Sequence, residues 1–303
     1  MVRPAASSPA FQAAYQERLG LMGTYTSAGA SANSTVTMLA GTSPSIEEPA
    51  GGGSWTAFQA SSGDLYVASS ASGPYNLGLG MMAGTSPAIA NLAGGGWGIV
   101  FQANTGTLWT DTSGSKNSGL GMMAGTNPSI TAADGGGFWA AFQANTGILW
   151  EYSSASGGYD LGISMLKGTS PAIAGLPSSL EIAYVGSAGT LWVWNSSTGS
   201  TNTGQAVAIG TSPSIAYTAG GAWEVAFQTG GGTLATYSPS GVTDYPQPVA
   251  ADSSPAITAM TGGGYALAWE GSGTDLLDFS DAPDSDGTSL LTMAPGTSPA
   301  LTQ

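Results

Sequence analysis

The chain contains neither histidine nor cysteine among its 303 residues. Their absence excludes Ser-His-Asp and Cys-His catalysis, zinc sites built on these side chains, thiolate clusters and disulfides. The absence of cysteine leaves the redox compartment open, because a chain without thiols folds equally well inside and outside the cell. No cofactor is indicated by the sequence.

Charge is also scarce, since only 7% of residues are charged, and 4 basic residues face 18 acidic ones for a formal net charge of −14. A surface of this sign repels phosphate backbones and anionic lipid heads, so we expect no nucleic-acid partner and no membrane insertion. No apolar run reaches the roughly 18 residues that a membrane span needs. The start, MVRPAASSPAFQ, lacks the apolar core of a secretory signal.

What is abundant is glycine, with 48 residues beside 17 prolines and 9 tryptophans, in a chain that is 42% hydrophobic. This content suffices for a sizeable core, and solubility then depends on Ser, Thr, Asn and Gly. No window shows a convincing 3.6-residue apolar period, and Gly and Pro would interrupt such a helix. The composition therefore predicts an all-β chain.

A repeat organises the sequence. The anchor GTSPxI, or a close variant, recurs at seven prolines with spacings of 43, 41, 43, 42, 42 and 44 residues. They are Pro44, Pro87, Pro128, Pro171, Pro213, Pro255 and Pro299. Each unit contains four short strand-like segments separated by Gly-rich and Asn-Thr-Gly turns, which is the spacing of propeller blades.

The two ends of the chain complement each other. The sequence stops just after an anchor, at GTSPALTQ, while FQAAYQERLGLMGTYTS near its start matches the part of the unit that should follow. A ring hides its sheet edges by pairing a C-terminal strand with N-terminal strands. We therefore predict that residues 1–303 form a single domain, a seven-bladed β-propeller closed in this way.

Two columns of the aligned units have a uniform character. The second strands share an aromatic residue, which predicts a position that packs one blade on the next. These residues are Tyr15, Phe58, Phe101, Phe142, Tyr184, Phe227 and Trp269. The following position is Gln in five units, which indicates a recurring hydrogen bond from side chain to backbone inside the blade.

Two other columns vary in size, which a shared core position would not tolerate. The column after G-x-L contains Gly23, Tyr66, Trp109, Trp150, Trp192, Ala235 and Leu277. The column that begins the second strand contains Phe11, Ser54, Trp97, Phe138, Leu180, Trp223 and Tyr265. A tryptophan in a groove between blades, beside Asn or Ser, offers a platform for the C–H face of a sugar and partners for its hydroxyls. The competing interpretation is that these are large core residues in some blades.

The pattern SPAI, WEVAFQ, GTLWTY and LGMMAGTSP resembles bacterial seven-bladed propeller lectins of the Photorhabdus type, and more loosely tachylectin and tectonin repeats. The resemblance covers the chain from about Pro9 to Gln303. It implies a multivalent lectin, not an enzyme, with similar monosaccharide pockets between blades and glycans as its partners. An extracellular or cell-surface location is then slightly favoured, and the oligomeric state stays open.

Candidate sugar-binding residues follow from the variable columns and from the resemblance. They are Trp109, Trp150, Trp192, Tyr66, Trp97, Trp139, Trp223, Asn104 and Asn145. Gly23, Ala235 and Leu277 depart from the G-x-L-W pattern. The His that often follows this Trp in the family is replaced by Thr110, Glu151 and Val193. We expect the working sites in the blades between about Gly51 and Asn195.

A calcium site, a glycosidase and a protein scaffold are the other functions that the residues could suggest. The stretch DAPDSDGTS, which begins at Asp281, echoes a calcium loop but misses the EF-hand template, so a solvated turn is favoured and no metal site is predicted. A glycosidase needs two facing carboxylates, and the acidic residues here do not recur at one blade position. The main alternative is a propeller that acts as a scaffold for protein partners, which should present one contiguous apolar patch.

Overall fold

The computed structural model describes residues 11–49, 52–176, 179–218, 221–273, 276–280 and 287–303. Short strands alternate with turns throughout these residues. In the first half of the chain the strands are β1 (Gln12–Gln16), β2 (Leu21–Thr26), β3 (Ser31–Thr37), β4 (Ser45–Glu47), β5 (Trp55–Gln59), β6 (Asp64–Ser69), β7 (Tyr75–Gly80), β8 (Ala88–Asn91), β9 (Trp97–Gln102), β10 (Thr107–Asp111), β11 (Ser115–Gly121), β12 (Ser129–Ala132), β13 (Phe138–Gln143) and β14 (Ile148–Ser153). In the second half they are β15 (Gly157–Ser164), β16 (Ala172–Leu176), β17 (Ser179–Val185), β18 (Thr190–Asn195), β19 (Gly199–Ala206), β20 (Ser214–Tyr217), β21 (Trp223–Gln228), β22 (Thr233–Ser238), β23 (Gly241–Pro248), β24 (Ala256–Ala259), β25 (Tyr265–Glu270), β26 (Leu276–Ser280), β27 (Gly287–Thr292) and β28 (Ala300–Thr302).

These strands form seven four-stranded sheets, each with antiparallel neighbours, so the predicted all-β propeller with four-stranded blades is confirmed. We number the blades along the chain. Blade 1 contains β28, β1, β2 and β3, and blades 2 to 7 contain β4–β7, β8–β11, β12–β15, β16–β19, β20–β23 and β24–β27. Within the described residues no helix is long and apolar enough to cross a membrane.

Blade 1 combines the two ends of the chain. Strand β28 pairs with β1, with Ala300 opposite Ala14 and Thr302 opposite Gln12. Because β28 supplies the innermost strand of this sheet, the C-terminal segment is held by the same ladder as the N-terminal hairpin.

The anchor motif explains how the blades are joined at the centre. In every unit the backbone N–H of the residue before the anchor proline donates to a side chain of the next anchor, at 2.7–2.9 Å. The seven bonds run from Ser43 to Ser86, Asn127, Ser170, Ser212, Ser254, Ser298 and back to Ser43. The Ser of GTSP is thus an acceptor that closes a ring around the molecule.

The threonine of the anchor has a separate role. In six blades its hydroxyl donates to the carbonyl oxygen three residues earlier, at 2.7–2.9 Å, as Thr126 does to Met123. All six threonines are buried. The hydroxyl therefore stabilises the tight turn that delivers the chain to the next innermost strand.

The aromatic column of the second strands lies in the core, as predicted. Its seven members are at most 3% exposed, and each packs against a neighbouring blade. Phe58, for example, shares a cluster with Met22 of blade 1.

The glutamine column makes the expected bond to backbone. Gln59 bonds inside its blade, to the carbonyl of Gly63, but the other acceptors of the five glutamines lie beyond the strands of the blade. Gln16 donates to the carbonyl of Leu39, and Gln143 donates to that of Leu166 and accepts from the backbone N–H of Gly168. These acceptors belong to the segment that enters the next blade. The glutamines therefore tie consecutive blades together.

Strand pairing also corrects the alignment of the last unit. The column after G-x-L lies opposite the buried aromatic residue, as in the pair Tyr184 and Trp192. In blade 7 the residue opposite Trp269 is Asp278, and Leu277 lies opposite Glu270. The column after G-x-L therefore contains Asp278 in blade 7 and not Leu277. The sequence alignment missed this because the last unit has more residues between its second and third strands than the other units.

A cavity of about 290 Å³ lies where the seven innermost strands meet. Serine, alanine, proline and aliphatic side chains line most of it, and Glu47 is the one charged residue among its described lining. Burial raises the pKa of Glu47 from 4.5 to about 7, with a further contribution from Glu48, against a backbone hydrogen bond from Asn91 that lowers it.

The hydrogen-bonded ring predicts a specific stability pattern at Asn127, which alone among the ring residues is not serine. Asn127→Ala leaves the N–H of Ser86 without its acceptor and should lower the free energy of unfolding by about 1–2 kcal/mol in urea titrations. Asn127→Ser installs the residue of the other six blades and should stay close to the parent. Equal losses in both variants would contradict the role of the ring.

Glu47 predicts a pH dependence of stability. A carboxyl whose pKa is higher in the folded than in the unfolded state stabilises the fold below pH 4.5 and loses that contribution as pH rises to about 7. The Glu47→Gln variant should lack this decline. The difference in unfolding free energy between parent and variant should therefore change by about 3 kcal/mol across this range. A difference that does not vary with pH would contradict the burial of this carboxyl.

Candidate functional site

Four clefts between neighbouring blades are built from the same strand positions. In the preceding blade, three positions line the cleft. They are the residue that directly follows the variable column after G-x-L, the residue two positions later on the same strand, and the fourth-strand residue that pairs with the first of these two. The next blade contributes the start of its second strand and two residues near the end of its third strand. We name the clefts by their blades: 1/2, 3/4, 4/5 and 5/6.

Cleft 4/5 is the largest, at about 870 Å³, which lies in the size range of small-molecule sites. Blade 4 contributes Trp139, Glu151 and Tyr159, and blade 5 contributes Trp194 together with Ser196. Three aromatic rings and several hydroxyls therefore line one opening between two blades. Tyr159 is 64% exposed, so its ring is accessible from solvent.

Clefts 5/6 and 3/4 are smaller, at about 300 and 290 Å³. Each contains one pair of aromatic rings at equivalent positions: Trp223 with Tyr237 at 6.1 Å, and Phe138 with Tyr152 at 6.0 Å between ring centroids. Threonine hydroxyls accompany both pairs. Cleft 1/2, at about 340 Å³, is lined by Ser, Thr and Ala without an aromatic ring among its described lining.

The corresponding position between blades 6 and 7 is filled by the protein itself. The Tyr245 hydroxyl lies 2.8 Å from that of Tyr265, and Tyr245 is 5% exposed. Burial and the bond to Tyr265 raise the pKa of Tyr245. Two tyrosines thus occupy the space that is open in the other clefts.

The G-x-L-W residues lie at the same blade interfaces but outside the four clefts. Each ring packs against the buried aromatic residue opposite it, with centroid distances of 5.8 Å for Tyr66, 6.5 Å for Trp109 and 6.3 Å for both Trp150 and Trp192. All four are partly buried and belong to the core clusters between blades. None is among the residues that line the four clefts.

The indole nitrogens of these tryptophans differ in their partners. Trp109 donates to Thr107 and Trp192 donates to Thr190, both at 3.1 Å. Trp150 has Ile148 at the equivalent position, and its buried indole nitrogen has no hydrogen-bond partner. Local side chains therefore satisfy two of these three indoles without a ligand.

The remaining predicted site residues are divided between the clefts and other positions. Trp139 lines cleft 4/5 and Trp223 lines cleft 5/6. Trp97 packs between blades 2 and 3, where its indole donates to the Tyr75 hydroxyl.

The two predicted asparagines occupy exposed turns. Asn104 and Asn145 each donate a backbone N–H at 3.1 Å to a glycine carbonyl of the preceding blade. Their side chains lie directly over Gly80 and Gly121, where a Cβ would approach the amide nitrogen to 2.5 Å. The structure therefore places both asparagines where blades are joined, away from the clefts.

Sequence reasoning missed the aromatic residues two positions after the G-x-L column. These are Tyr152, Trp194 and Tyr237, which line clefts 3/4, 4/5 and 5/6. The segments LWEY, LWVW and LATY contain the pattern that could have found them. Side chains alternate between the two faces of a strand, so the second and fourth residues of each segment share one face. The two positions are about 6.5 Å apart along the strand, so residues on the same face can line different parts of the blade interface.

Glu151 is the acidic member of its column. The equivalent residues are Thr24, Val67, Thr110, Val193 and Thr236 in the other blades with a described side chain. Burial raises the pKa of Glu151, and its carboxylate has no hydrogen bond or ion pair to the described residues. Within the same part of the chain no group of three or more acidic residues could hold a metal ion, and residues 281–286 lie outside it.

No protein-family model and no curated protein sequence matches this chain. Several solved structures share its fold at low identity. AofleA from Arthrobotrys oligospora is 13% identical with a TM-score of 0.59, over 88% of this chain and 90% of that one. The fucose-specific lectin from Aleuria aurantia is 14% identical with a TM-score of 0.58, over 84% and 95%. Virginiamycin B lyase from Staphylococcus aureus is 14% identical with a TM-score of 0.55, over 81% and 83%.

The Aleuria aurantia lectin is described as a six-bladed propeller, whereas the described residues here form seven sheets. These structures include both a lectin and an enzyme. At such identities they establish the β-propeller fold alone.

Proposed function

We propose that the chain is a multivalent carbohydrate-binding protein that takes single sugar units in the clefts between its blades. The observation that carries this proposal is the recurrence of one cleft at equivalent positions, with partly exposed aromatic rings and hydroxyl groups in clefts 4/5 and 5/6. In cleft 3/4 the hydroxyl groups recur, but the Phe138 and Tyr152 rings are buried. Aromatic faces suit the C–H surface of a sugar, and short hydroxyl side chains suit its polar edge. The fucose-specific lectin among the structural neighbours supports the same class of ligand.

Repetition gives the proposal its mechanism. Each cleft would bind one monosaccharide with low affinity. Several clefts on one rigid ring raise the effective concentration of ligand on a glycan-coated surface, because the second binding event becomes intramolecular. The closed ring fixes the spacing between clefts, so the protein would favour surfaces whose sugars match that spacing.

The scaffold alternative requires a contiguous apolar surface. The large hydrophobic residues that are exposed in the described structure are Leu19, Tyr75, Tyr159, Leu176, Ile209 and Val242. They are spread over several blades, and two of them, Tyr159 and Leu176, line cleft 4/5. This distribution favours a ligand in the cleft over a broad protein interface.

Binding without turnover is part of the proposal. The described lining of cleft 4/5 contains two carboxylates, Glu151 and Asp134, and a glycosidase would need such a pair to face each other across the sugar. Asp134 is exposed at a turn, and the equivalent clefts have no acidic residue in their described lining. Incubation with the bound glycans should therefore release no reducing sugar.

A glycan array followed by calorimetric titration tests the proposal. We expect saturable binding of the highest-ranked monosaccharide at about two sites per chain, one for each cleft with partly exposed aromatic rings. Trp194→Ala and Tyr237→Ala each remove an aromatic face and should each reduce the site number by one. Thermal unfolding serves as the check that the variants are folded.

The matched control is Trp109→Leu, which changes a G-x-L-W residue outside the clefts and should keep the number of sites. Loss of sites in Trp109→Leu, with full binding in Trp194→Ala, would move the sites to the G-x-L-W column. Absence of binding to every glycan by the folded protein would refute the lectin proposal.

A further inference from the structure

The four clefts are alike in position but not in charge. At the position after the G-x-L column, cleft 4/5 carries Glu151, whereas clefts 1/2, 3/4 and 5/6 carry Thr24, Thr110 and Val193. A second carboxylate, Asp134, lines the same cleft, and no basic residue is among its described lining. Cleft 4/5 therefore combines negative charge with aromatic rings, a combination that the described linings of the other three clefts lack.

The Glu151 carboxylate has no partner among the described residues. It is partly buried, and no described residue donates a hydrogen bond to it or forms an ion pair with it. Buried carboxylates are normally paired, because desolvation of an isolated charge is unfavourable. Burial raises the pKa of Glu151.

The rings around this carboxylate suit a cation. Trp139, Tyr159 and Trp194 line the cleft, and the electron-rich faces of such rings attract ammonium groups. The net charge of −14 further attracts cationic ligands to the chain as a whole.

The hydroxyls of the cleft suit a sugar rather than a simple amine. Ser154 and Ser196 each accept a backbone N–H, from Phe138 and Leu180, so that each hydroxyl hydrogen stays available to an acceptor on a ligand. Both serines line the cleft. A ligand that offers hydroxyl oxygens and a protonated amine would use both halves of the site.

We propose that cleft 4/5 selects an amino sugar with a free ammonium group, whose charge is met by Glu151 and the aromatic rings while its hydroxyls meet the serines. This inference rests on the proposed function and names the ligand class of one of its sites. The remaining clefts would take neutral sugar units. The protein would then prefer glycans in which an unacetylated amino sugar lies among neutral residues.

Calorimetric titration with glucosamine, N-acetylglucosamine and glucose tests the inference. The parent protein should bind glucosamine about tenfold more tightly than the two neutral sugars at one site per chain, as expected for one charge-assisted hydrogen bond. Added salt should reduce this preference because the charge is partly exposed. Methylamine, which has the ammonium group without the sugar, should bind much more weakly than glucosamine.

Two variants assign the preference to Glu151. Glu151→Gln keeps the size of the side chain, and Glu151→Thr installs the residue that blades 1, 3 and 6 carry at this position. In both, the ratio of glucosamine to glucose affinity should fall from about ten to about one. Thermal unfolding of both variants checks that the fold is retained.

The outcomes separate this inference from the proposed function. Neutral sugars that bind at several sites without any preference for glucosamine would overturn the inference and leave the lectin proposal standing. A preference that survives in Glu151→Thr, or equal affinity for methylamine, would also overturn it. Failure of every sugar to bind would refute both proposals together.

Discussion

The fold depends on a ring of hydrogen bonds that joins each anchor to the next. Seven backbone N–H groups donate to seven side chains, six serines and one asparagine, and the last bond returns to the first residue. Each bond by itself is worth little, since the net contribution of such a bond is about 1 kcal/mol. Closure changes their effect, because no anchor can move outward without breaking bonds on both sides. The pairing of β28 with β1 seals the same ring through the chain ends.

Outward from this ring, the position along the third strand decides which of its aromatic residues line a cleft. On the third strand of blade 5, Trp192 and Trp194 have the same parity and belong to one core cluster, yet only Trp194 lines a cleft. Trp192 packs on Tyr184 and donates to Thr190, so its functional groups are satisfied internally. The clefts are therefore part of the interfaces that hold the blades together.

Much of this architecture could be predicted from the sequence because the repeat supplies seven copies of each rule. The anchor spacing, the aromatic column and the split blade all followed from self-similarity. The destination of Gln16 could not be predicted, since its acceptor at Leu39 lies 23 residues away across a blade boundary. The repeat pattern could not show which of two residues on the same face of a strand lines a cleft. Trp109, Trp150 and Trp192 were therefore predicted as site residues, and Tyr152, Trp194 and Tyr237 were not. The longer turn of blade 7 shifted Leu277 by one position relative to Asp278.

Variation among the clefts follows from a few side chains on a constant frame. Tyr245 and Tyr265 close the position between blades 6 and 7, whereas Glu151 gives cleft 4/5 its charge. Ligand preference can thus differ from cleft to cleft at little cost in stability, because these residues lie outside the closed ring and the buried aromatic column.

The most direct test of the account is a crystal structure of the chain with its highest-ranked monosaccharide. The account predicts electron density for the sugar in clefts 4/5 and 5/6, with its C–H face against Trp194 in the larger of them. Sugar density at the turns beside Trp109, Trp150 and Trp192, with empty clefts, would contradict it.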